Sequence, residues 1–210
     1  MPNLPISSLP ELAASALTIN AEFDVAQAGT TYKIKNGNLS PYSPMGGLYS
    51  QTANSVTATT STETSIIGTG VGNVSVPADG FLVGDSFQAV MGGKITTTND
   101  DIRIRIKSGS VDLADSGFFT PNATDDIWFL TLYFTIRSIG AATVASISSH
   151  GNFQIVKPSN LTLKGFAFID LNDTTFDTTS PNTLDITVEF STTDPGNYMY
   201  SDYFVLNKMF

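Results

Sequence analysis

Cysteine is absent from this sequence. No disulfide can hold the fold, and neither thiol catalysis nor a thiolate zinc site is available. Histidine occurs once, at His150, which excludes a multi-histidine metal site. Charged residues make up only 14% of the chain, with 10 Lys plus Arg against 19 Asp plus Glu. The formal net charge of −9 repels phosphate backbones, and the basic stripe of a nucleic-acid binder is missing. No nucleic-acid partner is expected. No stretch approaches the length of an apolar membrane span, so no membrane insertion is expected. The opening MPNLPISSLPELAASALTI has neither the basic start nor the apolar run of a secretory signal peptide. Delivery outside a cell would then rest on lysis or a dedicated machine. After residue 17 no long segment of helical period appears. That excludes the crossover helices of a parallel α/β fold and the heptads of a coiled-coil stalk.

What is present suits strands. Hydrophobic residues reach 41% and aromatics 10%, enough to fill a core and too many for a disordered chain. Thr, Ser, Gly and Asn dominate the remainder, a mixture that fits hydroxylated strand faces and frequent turns. Residues 1–17 read as a proline-punctuated arm, because Pro2, Pro5 and Pro10 each remove a backbone donor. Glu11–Leu17 holds good helix formers and allows a short helix. Leu4, Ile6, Leu9 and Leu12 would be exposed on an isolated arm, which suggests docking to something. Residues 18–35 predict a small hairpin, with Phe23 and Val25 on one strand, a turn over Gln27–Thr30, and Tyr32 and Ile34 on the return. Residues 36–47, NGNLSPYSPMGG, carry three Gly and two Pro and predict a linker.

From residue 48 strands follow one another. Ser55–Thr60 alternates weakly, and Gly68–Gly72 reads as a turn-rich patch. Asp85–Ile95 predicts a long strand with a bulge or bend at Gly92-Gly93. Ile102, Ile104 and Ile106 alternate with Arg103, Arg105 and Lys107. Trp128, Leu130, Leu132, Phe134 and Ile136 form the clearest core face, leaving Phe129 and Tyr133 on the opposite side for a neighbour to cover. A turn is expected near His150-Gly151, between Val144–Ser148 and Phe153–Val156. Leu161–Ile169, Leu184–Phe190 and Tyr198–Phe210 continue the series. Eight to ten strands with regular turn signals predict an all-β sandwich or barrel. The expected organisation is an arm and hairpin over 1–35, a linker over 36–47 and a β-sandwich head over 48–210.

Chemistry is sparse. A serine triad needs His150 beside a nucleophile and a carboxylate, but Ser148 and Ser149 lie in the same expected turn. Asp170-Leu171-Asn172-Asp173 is the densest oxygen cluster. It lacks the glycine at position six and the glutamate at position twelve of an EF-hand, which leaves only a non-helical calcium loop as the functional alternative. Gly68, Gly70 and Gly72 precede strand-like residues rather than a helix, so a phosphate loop fails on context. Arg103, Arg105 and Lys107 form either a solvated ladder guarding a strand or a contact for acidic groups. No catalytic residue, metal or cofactor is assigned.

Two segments carry a resemblance. Leu4-Pro5-Ile6-Ser7-Ser8-Leu9-Pro10-Glu11-Leu12, then Leu17–Val25 and the return Gly29-Thr30-Thr31-Tyr32-Lys33-Ile34, resemble the N-terminal module of many phage tail-fibre and head-fibre proteins. That module tends to attach to the particle. The resemblance implies particle attachment through Leu4, Ile6, Leu9, Leu12, Phe23 and Val25, with capsid or tail proteins as partners. The stretch from Tyr49 to Phe210, with Ser65–Gly72, Val83–Phe87 and Ile102–Gly109, is similar to the tumour-necrosis-factor/C1q type of jelly roll. That type usually trimerises with its last strand near the three-fold axis, which implies a homotrimer interface at Tyr203, Phe204, Val205 and Leu206. The expectation is a non-enzymatic structural protein of the virion, a spike, fibre or capsid decoration, with a jelly-roll-like head and a host surface glycan or receptor as its candidate contact. The alternative is an extracellular carbohydrate-binding module using Tyr49, Tyr133, Tyr198 or Tyr200. A phage-borne polysaccharide hydrolase is the third reading, and the missing acid/base signature argues against it.

Overall fold

A computed structural model describes residues 22–27, 30–35, 46–109, 111–157 and 162–210. The expected arm, its Glu11–Leu17 helix and most of the expected linker lie outside these residues. The chain divides into two compact units between Pro44 and Met45. In the first, β1 (Glu22–Gln27) and β2 (Thr30–Lys35) form an antiparallel hairpin in which Phe23 stands opposite Ile34 and Val25 opposite Tyr32.

The second unit is all β, with no helix among the described residues. Its strands are β3 (Gly46–Gln51), β4 (Thr64–Ser65), β5 (Gly70–Gly72), β6 (Ser75–Val76), β7 (Ser86–Thr96) and β8 (Ile102–Ser108). They continue with β9 (Val111–Asp115), β10 (Asp126–Ser138), β11 (Ser146–Lys157), β12 (Thr162–Asn172), β13 (Asn182–Phe190) and β14 (Tyr198–Lys208). One sheet has seven strands in the order β12-β11-β10-β7-β14-β3-β5, and the smaller has the order β4-β13-β8-β9 with β6 also on β13.

The pairing is nested. β3 pairs with β14, β4 with β13, β7 with β10 and β8 with β9, all antiparallel. First pairs with last and inner with inner, which is a long hairpin rolled across two sheets, the winding of a jelly roll. The β11–β12 hairpin extends the large sheet beyond that frame.

Period-two patterning explains the layers. Trp128, Leu130, Leu132, Phe134 and Ile136 of β10 are all buried, as are Ile102, Ile104 and Ile106 of β8 and Ile186, Val188 and Phe190 of β13. The two inner faces meet in one core. Gly92-Gly93 does sit at an irregularity, but the extra residue is Asp202 on the facing strand, where the β14 register shifts between Ser201 and Tyr203. A Cβ on Gly93 would stand 2.0 Å from the Tyr200 carbonyl oxygen. Glycine there lets two backbones approach.

Three local expectations change. Ser148–Asn152 is not a turn. It lies inside the unbroken strand β11, where Gly151 lets the Thr131 carbonyl and the Phe168 ring come close. Gly70–Gly72 is a short edge strand beside β3 rather than a turn. Ser55–Thr60 is not a strand, and meets β14 through the bridge of Ala58 to Met199 and through Ser55, whose amide donates to the Ser201 carbonyl at 2.9 Å.

Candidate functional site

The smaller sheet turns the basic ladder outward. β8 runs between β13 and β9, and both neighbours supply acids. Arg105 Nη1 lies 2.9 Å from Glu63 and 3.0 Å from Glu189, and its Nε lies 3.5 Å from Asp115. Lys107 Nζ reaches Glu63 at 3.1 Å. Arg103 Nε donates to both oxygens of Asp115, at 2.8 and 3.0 Å. The Arg103 guanidinium, aided by the Gly117 amide and Arg105, holds the Asp115 carboxyl down at about 2. Glu63 is also lowered, chiefly by the Thr187 hydroxyl that donates to it at 2.6 Å, with Lys107 and Arg105 adding to the effect. Every cation of the ladder is therefore neutralised within the chain. A partner would have to displace these acids, so the ladder functions as a clasp across β8, β9 and β13.

The other chemical candidates separate. His150 is exposed on the outer side of β11, while Ser149 points inward and donates to the Leu113 carbonyl at 3.0 Å. The two cannot form a dyad. The His150 ring instead stacks on Tyr133, 4.9 Å between centroids and 16° between planes. In the Asp170–Asp173 segment, Asn172 Oδ1 accepts from the amides of Thr175 and Phe176 at 3.0 and 2.9 Å, so that oxygen closes the turn. No three metal-ligating side chains converge among the described residues.

The distinctive surface is the outer face of the seven-stranded sheet. Residues paired across antiparallel strands point to the same side, so the register gives its rows. In one row Phe129 of β10 and Tyr203 of β14 flank Gly92 of β7. The Phe129 ring leans over Gly92, with Cδ1 3.4 Å from where a Cβ would be. Phe129 is 49% exposed and Tyr203 50%. The next row holds Val90 and Val205, and the row beyond it Ile169, His150, Tyr133 and Gln88. Gln88 donates its amide to the Tyr133 hydroxyl at 3.0 Å. Ile169 is 87% exposed, and Ile127, Leu163 and Leu171 add further uncovered apolar surface. At one end Tyr198 stacks on Tyr200, and Tyr198 donates to Asp125, which also pairs with Lys94 at 3.1 Å.

The expected interface residues divide between the two faces of β14. Tyr203 and Val205 face outward, whereas Phe204 and Leu206 are buried in the core. Leu4, Ile6, Leu9 and Leu12 lie outside the described residues, and Phe23 and Val25 stand on β1 opposite Ile34 and Tyr32 of β2. Of the sugar-platform candidates, Tyr49 is buried with its hydroxyl donating to the Gly68 carbonyl, while Tyr133, Tyr198 and Tyr200 reach the outer face. Alternation placed Phe129 and Tyr133 outside. It could not show that Tyr203, Val205 and Ile169 join them, because that depends on strand order. No protein-family model matches this sequence, and comparison with the curated proteins finds no match.

Proposed function

We propose that the chain is a non-enzymatic structural protein of a virus particle, whose jelly-roll-like head self-associates as a homotrimer through the outer face of its large sheet. The observation that carries this reading is the row Phe129–Gly92–Tyr203 and the apolar residues around it. A soluble sheet normally turns polar side chains to water, and contiguous exposed apolar surface marks an interaction site. Seven strands span about 29 Å at their usual spacing, and an eleven-residue strand about 36 Å. That face exceeds the roughly 800 Å² per partner of a standard interface. In this reading Tyr203 and Val205 contact the neighbouring copies, while Phe204 and Leu206 hold the strand in place. The N-terminal arm and hairpin attach the head to capsid or tail proteins, and the head meets the host surface.

Light scattering on the purified chain tests the reading. A mass near three times 22.3 kDa is expected, with Phe129→Glu reducing it to one copy and leaving the circular dichroism unchanged. A wild-type monomer at tens of micromolar overturns the trimer. Virions lacking the chain overturn the particle assignment.

A second reading rests on the exposed Tyr133–His150 stack with its Gln88 donor. A flat ring beside amide and hydroxyl groups suits the apolar and polar sides of a sugar. Retention on a glycan array that Tyr133→Ala abolishes supports it. An array with no retained glycan rejects it.

A further inference from the structure

Protein interiors pack as densely as organic crystals, and voids larger than a water molecule are few. The head departs from that rule where its sheets splay. A cavity of about 230 Å³ lies between them, lined by Phe87, Phe134 and Ile136 of the large sheet, Leu113 and Leu184 of the smaller one, and Phe81. Phe81 is held edge-on to Phe87, with centroids 6.0 Å apart, and also packs on Phe176. The segment 73–81 closes this end as a strap. It is fixed by the Asn73 amide to the Leu48 carbonyl at 2.7 Å, the two-residue pairing of β6 with β13, and the Asp79 amide to the Thr178 carbonyl at 2.8 Å. Val74 and Val76 of the strap, with Leu48 and Leu184, are only partly buried and rim the opening.

The polar groups at the margin are already committed. Lys208 pairs with Asp85 at 2.7 Å, and the second Asp85 oxygen accepts from the Leu82 amide at 3.0 Å. Ser108 donates to Asn182 at 3.0 Å, and the Asn182 amide donates to the carbonyls of Asp177 and Ser180. Among the described residues no buried side-chain nitrogen or oxygen lacks a partner. A trapped water needs two to four polar partners, and Asp85, Lys208, Ser108 and Asn182 on this wall are already bonded to one another and to the backbone. A charged guest would meet an ion pair already neutral.

We infer that this inter-sheet cavity is a binding site for an uncharged aliphatic chain. An apolar cavity of about 150 Å³ accepts benzene, with six carbons, so by proportion this one holds about nine heavy atoms. That is a chain the size of 1-octanol. The site is separate from the outer sheet face, and neither proposal depends on the other.

Calorimetric titration of the full chain with 1-octanol is the test. Saturable binding of one octanol per chain, with a negative heat-capacity change, is expected. Leu184→Phe and Val74→Phe, which fill the cavity from its rim, should each weaken binding at least tenfold. No saturable binding up to the solubility of octanol overturns the site. So does equal binding by the wild type and both filled variants. Xenon-pressurised crystals of the wild-type chain give a readout free of folding defects. Density between Phe87 and Leu184 supports the site, and its absence overturns it.

Discussion

Gly93 shows how one missing atom shapes the sheet. The Tyr200 carbonyl sits 2.0 Å from where its Cβ would be and Ser201 Cα 2.8 Å, both of them backbone atoms of β14. Backbone cannot rotate away as a side chain can, so Gly93→Ala forces β7 and β14 apart. A loss of about 2–4 kcal/mol in urea unfolding is expected, at the upper end of overpacking costs. Gly117 is the control. Its φ is +60° and nothing lies within 4 Å of its Cβ position, so Gly117→Ala should cost only about 1 kcal/mol, the backbone cost alone. Equal losses for the two would show that the close approach of β7 and β14 is not what Gly93 serves. Asp115 makes a second prediction at this scale. Its carboxyl titrates at about 2 in the fold against an ordinary 3.8. A lowered folded value contributes stability that is present above the unfolded value and lost as pH falls through the folded one. Its side chain remains 27% exposed beside Arg103 and Arg105, so screening limits the contribution to about 1 kcal/mol. Wild type should exceed Asp115→Asn by that amount at pH 6, and the gap should close between pH 4 and 2. A gap independent of pH would assign the loss to packing instead of charge.

The β11–β12 hairpin is the element that sequence reading handled least well. Its first strand alternates legibly, as Ile147, Phe153 and Ile155 show by their burial. Yet His150-Gly151 reads as a turn, because glycine beside polar residues is the usual turn signal. The glycine has another cause. Gly151 sits where Thr131 and Phe168 press on the strand from either side, and that pressure exists only once β10 and β12 have been paired. The same limit applies to the charge clasp. IRIRIK announces a basic face, but its neutralisation by Glu63, Asp115 and Glu189 depends on β8 lying between β9 and β13. Local period was legible. Neighbours distant in sequence were not, and both the outer apolar face and the cavity are made of such neighbours. The hairpin is anchored by Phe153, fully buried, with Trp128 at 5.8 Å, Phe166 at 5.6 Å and Phe119 at 6.2 Å between ring centroids. Phe153→Ala should cost about 3–5 kcal/mol by the transfer and cavity terms together. A cost under 1 kcal/mol in urea would mean that the hairpin is an appendage, uncoupled from the sandwich.

At the scale of the molecule, the nested winding makes the last strand decisive. β14 lies between β7 and β3 and pairs with both, so the large sheet stays in two pieces until residues 198–208 dock. These pairings join residues far apart in the chain, and such contacts form only after the cost of closing long loops is met. Trp128, the sole tryptophan, reports the event. It is fully buried, and its indole N–H is shared between the carbonyls of Lys94 and Tyr200, both at 3.2 Å. One acceptor therefore belongs to β7 and the other to β14. Refolding from urea should recover the blue-shifted emission of Trp128 late, in milliseconds to seconds. A chain ending at Asn197 should keep the red-shifted emission of a solvated indole and unfold without a cooperative transition. If that truncated chain shows native emission and a sharp transition, β3 and β7 have closed the sheet without β14, and the rolled-hairpin account of the fold fails.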